Sequence, residues 1–262
     1  CSSDLSVLDV AILVISGQDG IQSHTETLWE MLQEAGVPVF LFINKMDLAH
    51  RSREELMDEL RERFGDGCVA FDEPDPEQLA LCSEPLMNAF LEGRPLPEQE
   101  IRHAIAQREM FPCWFGSALK LEGTEAFLNT FTHWALPFRG ATAFGARVFK
   151  ISRDAQGNRL THMKLTGGHL RVRDVIAGEK VNEIRVYHGT QYEILEQADA
   201  GMVCQVRGLS RVRAGDGLGC EQDAAAENRM EPVLRYQVVL KPGQDPHRVL
   251  ECFREQIGRA HV

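Results

Sequence analysis

Val37-Pro38-Val39-Phe40-Leu41-Phe42-Ile43-Asn44-Lys45-Met46-Asp47 is an apolar run that stops abruptly in four residues of a different kind. Short, β-branched and aromatic, with Gly36 and Pro38 at its start, it predicts a central parallel strand covered on both faces. In open α/β sheets ligands bind beyond the carboxyl ends of such strands, so Asn44 to Asp47 fall where a ligand would sit. A carboxylate only accepts hydrogen bonds, and guanine presents two adjacent donors, N1–H and the 2-amino group, that one carboxylate takes together. Asp47 is therefore suited to read guanine. Adenine has no N1–H and would leave the same carboxylate partly unpaired, which is selectivity by a missing partner. The Asn44 amide is placed to reach the N7/O6 edge, and the Lys45 stem to lie along a base face.

A second stretch, Phe111-Pro112-Cys113-Trp114-Phe115-Gly116-Ser117-Ala118-Leu119-Lys120, repeats the arrangement: a strand-like run ending in a small-residue turn. With no bulky side chain in the way, the Ala118 backbone N–H can approach guanine O6 closely. Asn-Lys-x-Asp followed by Ser-Ala-Leu, each after a strand, is the pattern of a guanine-nucleotide site. The candidate base-binding residues are thus Asn44, Lys45, Asp47, Ser117, Ala118 and Leu119.

With these motifs the chain resembles the translational GTPases. Ser6-Val7-Leu8-Asp9, Asp19-Gly20-Ile21-Gln22 and Asn44-Lys45-Met46-Asp47 look like the corresponding segments of elongation factor G and its relatives. Further on, Phe149-Lys150-Ile151, Arg159-Leu160, Leu165, Gly168, Leu170 and Arg173-Asp174 follow the spacing of one branch, the tetracycline-resistance ribosomal protection proteins. The resemblance implies a ribosome-dependent GTPase that binds GTP/GDP with Mg2+, works on the bacterial ribosome as a cytoplasmic monomer, and frees it from tetracycline. Two other readings stand beside it: an elongation factor G-type translocase, and a non-hydrolysing ribosome-binding protein.

Composition bounds the rest. At 262 residues, 44% hydrophobic and 26% charged, the chain has ample material for one or two globular cores. No apolar run has the length of a membrane span, and no signal peptide is visible. The seven cysteines, at 1, 68, 82, 113, 204, 220 and 252, form no Cys-x-x-Cys pair, which argues against a metal cluster and for buried thiols. The net charge of −11 is unevenly spread. Residues 143–220 hold twelve Lys or Arg against eight Asp or Glu, a balance of +4, which leaves −15 for the remainder.

In chain order, Val7–Ile15 predicts another buried parallel strand, and Leu28, Met31, Leu32 and Ala35 give a helix over 25–35, with Trp29 as core packing. Ser52 and Glu55 form a capping box ahead of Leu56, Leu60 and Phe64. Between Asp72 and Glu100 eight acidic residues face Arg94 alone; this acidic insertion, about 66–108, resembles the extra subdomain of elongation factor G. Thr124 starts a helix with Phe127, Leu128, Phe131, Trp134 and Ala135 inward. Past the linker at 139–142 the period changes to short strands and glycine turns, the mark of a small β-barrel. Its arginines, Arg147, Arg171 and Arg173 first among them and Arg153, Arg159, Arg207, Arg211 and Arg213 besides, are candidates to neutralise ribosomal RNA phosphates.

The expected fold class is α/β: the C-terminal half of a P-loop GTPase domain (Ras-like, parallel sheet) with an inserted subdomain, then a β-barrel domain and the start of an α+β domain. The domains run 6–137, 143–220 and 230–256. Residues 1–5 and 257–262 read as translated sequencing-adapter sequence, which makes 6–256 an internal piece of a longer protein. No Gly-x-x-x-x-Gly-Lys-[Ser/Thr] loop is present, and residues 6–137 hold no Asp-x-x-Gly turn. The phosphate and magnesium ligands are therefore expected upstream, no catalytic or metal-binding residue is assigned, and this stretch alone is expected to be inactive in hydrolysis.

Overall fold

The computed structural model describes residues 5–154, 156–189 and 191–221, with positions 239, 240, 245, 246, 249 and 250. The chain divides into two compact units, one of Leu8–Pro137 and one of Phe138–Val262 together with Cys1–Val7. The expected third-domain start at 230–256 and the two terminal peptides lie almost wholly outside the described residues.

The first unit is built on a parallel sheet of β1 (Ala11–Ser16), β2 (Val39–Asn44), β3 (Cys68–Ala70) and β4 (Phe111–Phe115), in the order β1-β2-β4-β3. β2 is the central strand the apolar run predicted, with Val39 to Ile43 all buried. Its register, Leu41 beside Leu13 and Cys113, settles the two faces. On one lie Leu13, Leu41 and Phe111, covered by α1 (Ser23–Glu34) and α2 (Arg53–Phe64). There Trp29 stacks on Phe64 at 4.3 Å and meets Phe111 edge-on at 4.7 Å. The capping box forms in full at the start of α2: Glu55 N–H donates to Ser52 Oγ, and Ser52 N–H to Glu55 Oε2.

The opposite face carries Phe40, Phe42 and Trp114. α3 (Pro76–Leu81), α4 (Glu84–Leu91), α5 (Glu98–Ala106) and α6 (Thr124–Trp134) cover it. The acidic stretch thus folds as three short helices: its carboxylates face water while Leu79, Leu86, Ile101 and Ile105 join the core. Phe127 of α6 lies 5.1 Å from both Phe42 and Trp114, ring pairs worth about 1 kcal/mol each beyond their burial.

Three expectations need correction. The first strand begins at Ala11, and only Leu13 and Ile15 of it are buried, since β1 is a sheet edge. Ile12 (41% exposed) and Val14 (57%) point to the face where the helices covering Phe40 and Phe42 stop short of them. Leu128 and Ala35 are exposed, because 127, 131 and 134 form the inward stripe of α6 and Ala35 falls at the end of α1. β3 has no clear signature in the sequence: it is three residues long, and its place beyond β4 rests on pairing with Phe111 and Cys113.

The second unit is antiparallel. β5 (Gly145–Arg153), β6 (Arg159–Gly167), β10 (Glu183–His188), β11 (Gln191–Leu195), β13 (Val203–Arg207) and β14 (Gly217–Gly219) form a sheet ordered β11-β10-β13-β6-β5-β14. Two small pairs accompany it, β7 (His169–Arg171) with β12 (Gln197–Asp199), and β8 (Val175–Ile176) with β9 (Glu179–Lys180). The sheet curls round one core of Val148, Met163, Leu165, Leu170, Ile184 and Val206. The described cysteines are free thiols, and burial pushes Cys82 to about 11 and Cys204 to about 12, which leaves both unreactive. No helix among the described residues is long and apolar enough to cross a membrane.

Candidate nucleotide-base site

β2 and β4 are adjacent and parallel, so their carboxyl ends deliver the two motif loops to one end of the sheet. The backbone joins them: Gly116 N–H donates to Ile43 O at 2.9 Å, and Met46 N–H to Gly116 O at 3.1 Å. Gly17, at the end of β1, donates to Asn44 O at 2.7 Å, and a Cβ there would lie 2.8 Å from the Met46 sulfur. A side chain at position 17 would require Met46 to shift.

Asn44 Oδ1 is the hinge of the site. It accepts from Lys45 N–H and from Ala118 N–H, each at 2.8 Å, and so ties together residues 74 positions apart. The first of these bonds holds Lys45 in the left-handed region (φ 61°), which costs an L-residue about 1 kcal/mol. A short 3-10 turn, Met46–Leu48, then places Asp47.

The Asp47 side chain is largely covered, with Oδ2 3.5 Å from Lys120 Nζ. Its pKa lies below the ordinary carboxylate value, chiefly through the neighbouring Ser117 hydroxyl and also through Lys120, while burial opposes both. Ser117 itself is buried, and its Oγ has no partner at normal hydrogen-bond length, so it touches Asp47 at longer range. A ladder of two bonds between Ser117 and Glu122, both 3.0 Å, closes the second loop.

All six residues singled out from the sequence lie on these two loops. Ala118 N–H, expected to face guanine O6, is donated to Asn44 here, and Leu119 is 90% exposed. Lys120 and Glu122 are additional participants: the first neutralises Asp47 and the second shapes the turn. Lys120 directly follows Ser-Ala-Leu, a position visible in the sequence, whereas Glu122 acts through backbone atoms and leaves no signal there.

The candidate phosphate-binding arginines differ in availability. Arg147 is half-buried and paired with Glu221 at 2.7 Å, and is therefore already neutralised. Arg171 is exposed with Nε on Gln197 Oε1 at 2.7 Å, and Arg173 is exposed at a positive φ of 81°.

Residues 1–137 match the model of the elongation factor Tu GTP binding domain, and residues 143–220 that of elongation factor G domain 2. Among curated proteins the chain is similar to the oxytetracycline resistance protein of Streptomyces rimosus, at 27% identity over 98% of this chain and 44% of that protein. It is also similar to the tetracycline resistance protein TetW of Butyrivibrio fibrisolvens, at 26% identity over 96% of this chain and 44% of that protein. The chain thus spans less than half the length of these relatives. A crystal structure of a Thermus thermophilus protein, ttk003000868, shares the fold with a TM-score of 0.69 at 20% identity, over 86% of this chain and 42% of that one. The match over 1–137, more than half of the chain, decides its kinship: the protein belongs to the elongation factor Tu GTP-binding-domain family.

Proposed function

We propose that this chain is the base-selecting and ribosome-facing part of a ribosome-dependent GTPase, of the kind that protects the ribosome from tetracycline. The observation that carries the nucleotide half is the Asn44 bridge, which brings the Asp47 carboxylate and the Ser117–Leu119 turn to one end of adjacent parallel strands. In this reading Asp47 accepts from guanine N1–H and the 2-amino group, leaving its contact with Lys120. Asn44 faces the N7/O6 edge through its amide nitrogen, the Lys45 stem lies along the base, and Ala118 N–H turns from Asn44 to O6. The donor set fits the base: one ionised carboxylate for two adjacent donors, and amide groups for the acceptors.

Phosphates and Mg2+ would be held by groups other than those described here, because the sequence has no phosphate loop. When bound, the metal would supply charge neutralisation for phosphoryl transfer, and no step of that chemistry falls on these residues. The tetracycline part of the proposal is supported by the names of the two relatives, and the ribosomal setting by the elongation factor G domain 2 match. Location in the cytoplasm and action as a monomer belong to the same proposal.

The test is to join the chain to its upstream gene sequence, read from unfragmented source DNA, and to assay GTP hydrolysis with and without ribosomes and translation in the presence of tetracycline. Ribosome-stimulated hydrolysis with restored translation is the expected result. Stimulated hydrolysis without protection would favour a translocase. No hydrolysis, with ribosome binding kept, would favour a binding-only protein.

A further inference from the structure

The base site holds a cation that the guanine reading gives no part to. Lys120 follows Ser117-Ala118-Leu119 on a turn whose backbone is fixed: Ser117 N–H donates to Glu122 O and Glu122 N–H to Ser117 O, each at 3.0 Å, and Leu121 N–H donates to Ala118 O at 3.3 Å. Leu121 itself sits in the left-handed region at a φ of 59°. Leu119 and Leu121 lie in solvent, 90% and 76% exposed, whereas Lys120 between them turns back to the site, with Nζ 3.5 Å from Asp47 Oδ2.

The two partners are unequal. The Lys120 side chain is 53% exposed and that of Asp47 only 9%, so a mobile ammonium on the solvent side rests on a covered carboxylate. Ser117, 1% exposed beside the same carboxylate, leaves its Oγ without a partner at normal hydrogen-bond length, which costs free energy as long as it lasts. The adjacent N1–H and 2-amino donors of guanine need both Asp47 oxygens, including the Oδ2 that now faces Lys120. Ammonium and base therefore compete for one oxygen, and a carboxylate released from Lys120 is free to accept from the Ser117 hydroxyl.

We propose that Lys120 is a placeholder for guanine: in the empty site its ammonium occupies Asp47, the base must displace it, and base affinity is lowered by that competition. The inference rests on the reading of Asp47 as the guanine acceptor, and adds to it a residue that opposes binding. Lys120 acts on the base through Asp47 and is a positioning residue. A salt dependence distinguishes this role from plain support of the turn. Guanosine is uncharged, so its own contacts respond little to ionic strength, whereas a half-exposed ion pair is screened. Salt weakens the competitor and spares the ligand, so guanosine binds more tightly as salt rises.

The experiment titrates guanosine against the full chain by saturation-transfer NMR at about 0.01 M and about 1 M sodium chloride, between which the screening length falls from about 30 Å to about 3 Å. Lys120→Met keeps the stem and removes the charge; it is expected to bind guanosine about two- to fivefold more tightly than wild type at low salt, and about equally at high salt. Lys120→Arg keeps the charge and is expected to retain the salt response. In the empty protein the Asp47 carboxyl is expected to titrate at higher pH in Lys120→Met than in wild type, read from its carboxyl carbon by NMR. Unchanged or weaker guanosine binding by Lys120→Met at low salt, or the same salt slope in both proteins, would overturn the inference and leave the Asp47 reading standing, since guanosine would still be bound. An unshifted Asp47 titration would show that the ammonium does not occupy the carboxylate, and would overturn it too. Guanosine bound by none of the proteins at either salt would overturn the Asp47 reading and this inference together.

Discussion

Replacing Asn44 tests whether one side-chain oxygen organises the base site. Asn44→Ala removes the acceptor shared by Lys45 N–H and Ala118 N–H, two bonds of 2.8 Å. At about 1 kcal/mol each, and with water able to replace part of both because Lys45 and Ala118 are exposed, the loss is about 1–2 kcal/mol. For a unit of this size that lowers the melting temperature by roughly 3–8 °C. The three tryptophans, Trp29, Trp114 and Trp134, all lie in Leu8–Pro137, so their fluorescence follows this unit alone. Asn44→Asp keeps an oxygen for both N–H groups and should melt close to wild type. It also sets a negative charge against the guanine N7 and O6 acceptors, and should lose guanosine binding in saturation-transfer NMR. Guanosine is the right probe because it carries no phosphate. An unchanged melting temperature for Asn44→Ala, or wild-type guanosine binding by Asn44→Asp, would refute the reasoning.

Asp47→Asn exchanges an acceptor for a group that can also donate, and should move preference from guanosine to xanthosine; equal competition by the two nucleosides would end the assignment of Asp47 as base reader. Val14→Lys places a charge on the exposed face of the edge strand β1 and should reduce self-association of the chain in light scattering; a wild-type chain already monodisperse as a monomer would show that the edge is no liability. Phe127→Ala empties a site between Phe42 and Trp114 and should destabilise the first unit by about 3–5 kcal/mol in urea unfolding; a loss under about 1 kcal/mol would mean that α6 is not held by this ring. His162 has its pKa lowered from 6.5 to about 4, first by burial and then by Lys150. Because the folded state resists protonation while the unfolded state does not, its contribution is present above about 6.5 and lost as pH falls toward 4. Urea titrations followed by circular dichroism should show the second unit weakening across that window and His162→Asn flattening the slope; an unaltered slope would assign the effect to other groups.

Much of the fold was legible because its signals are local. The five-residue apolar core of β2, the Ser52/Glu55 box and the 127/131/134 stripe of α6 are set by the periods of strand and helix, and neighbours in sequence carry them. The change to short strands after residue 143 was readable for the same reason. The acidic stretch showed its charge and hid its helices, since the buried residues of α3, α4 and α5 are spread over short segments, each with too few turns to display a period.

The amino-acid sequence by itself determined which residues stand at the ends of the two central strands, because a polar motif after a buried run has one place to go. Only the tertiary structure decided that these ends are neighbours, that Asn44 bonds Ala118, that Lys120 lies on Asp47, and that β1 is half-exposed at the sheet edge. It also decided that Arg147 is neutralised by Glu221 while Tyr187, Tyr192 and Gln205 share a pocket. The physical reason is that strand order and register bring together residues far apart in the chain. A periodicity reports which way a side chain faces, and only pairing reports what it meets.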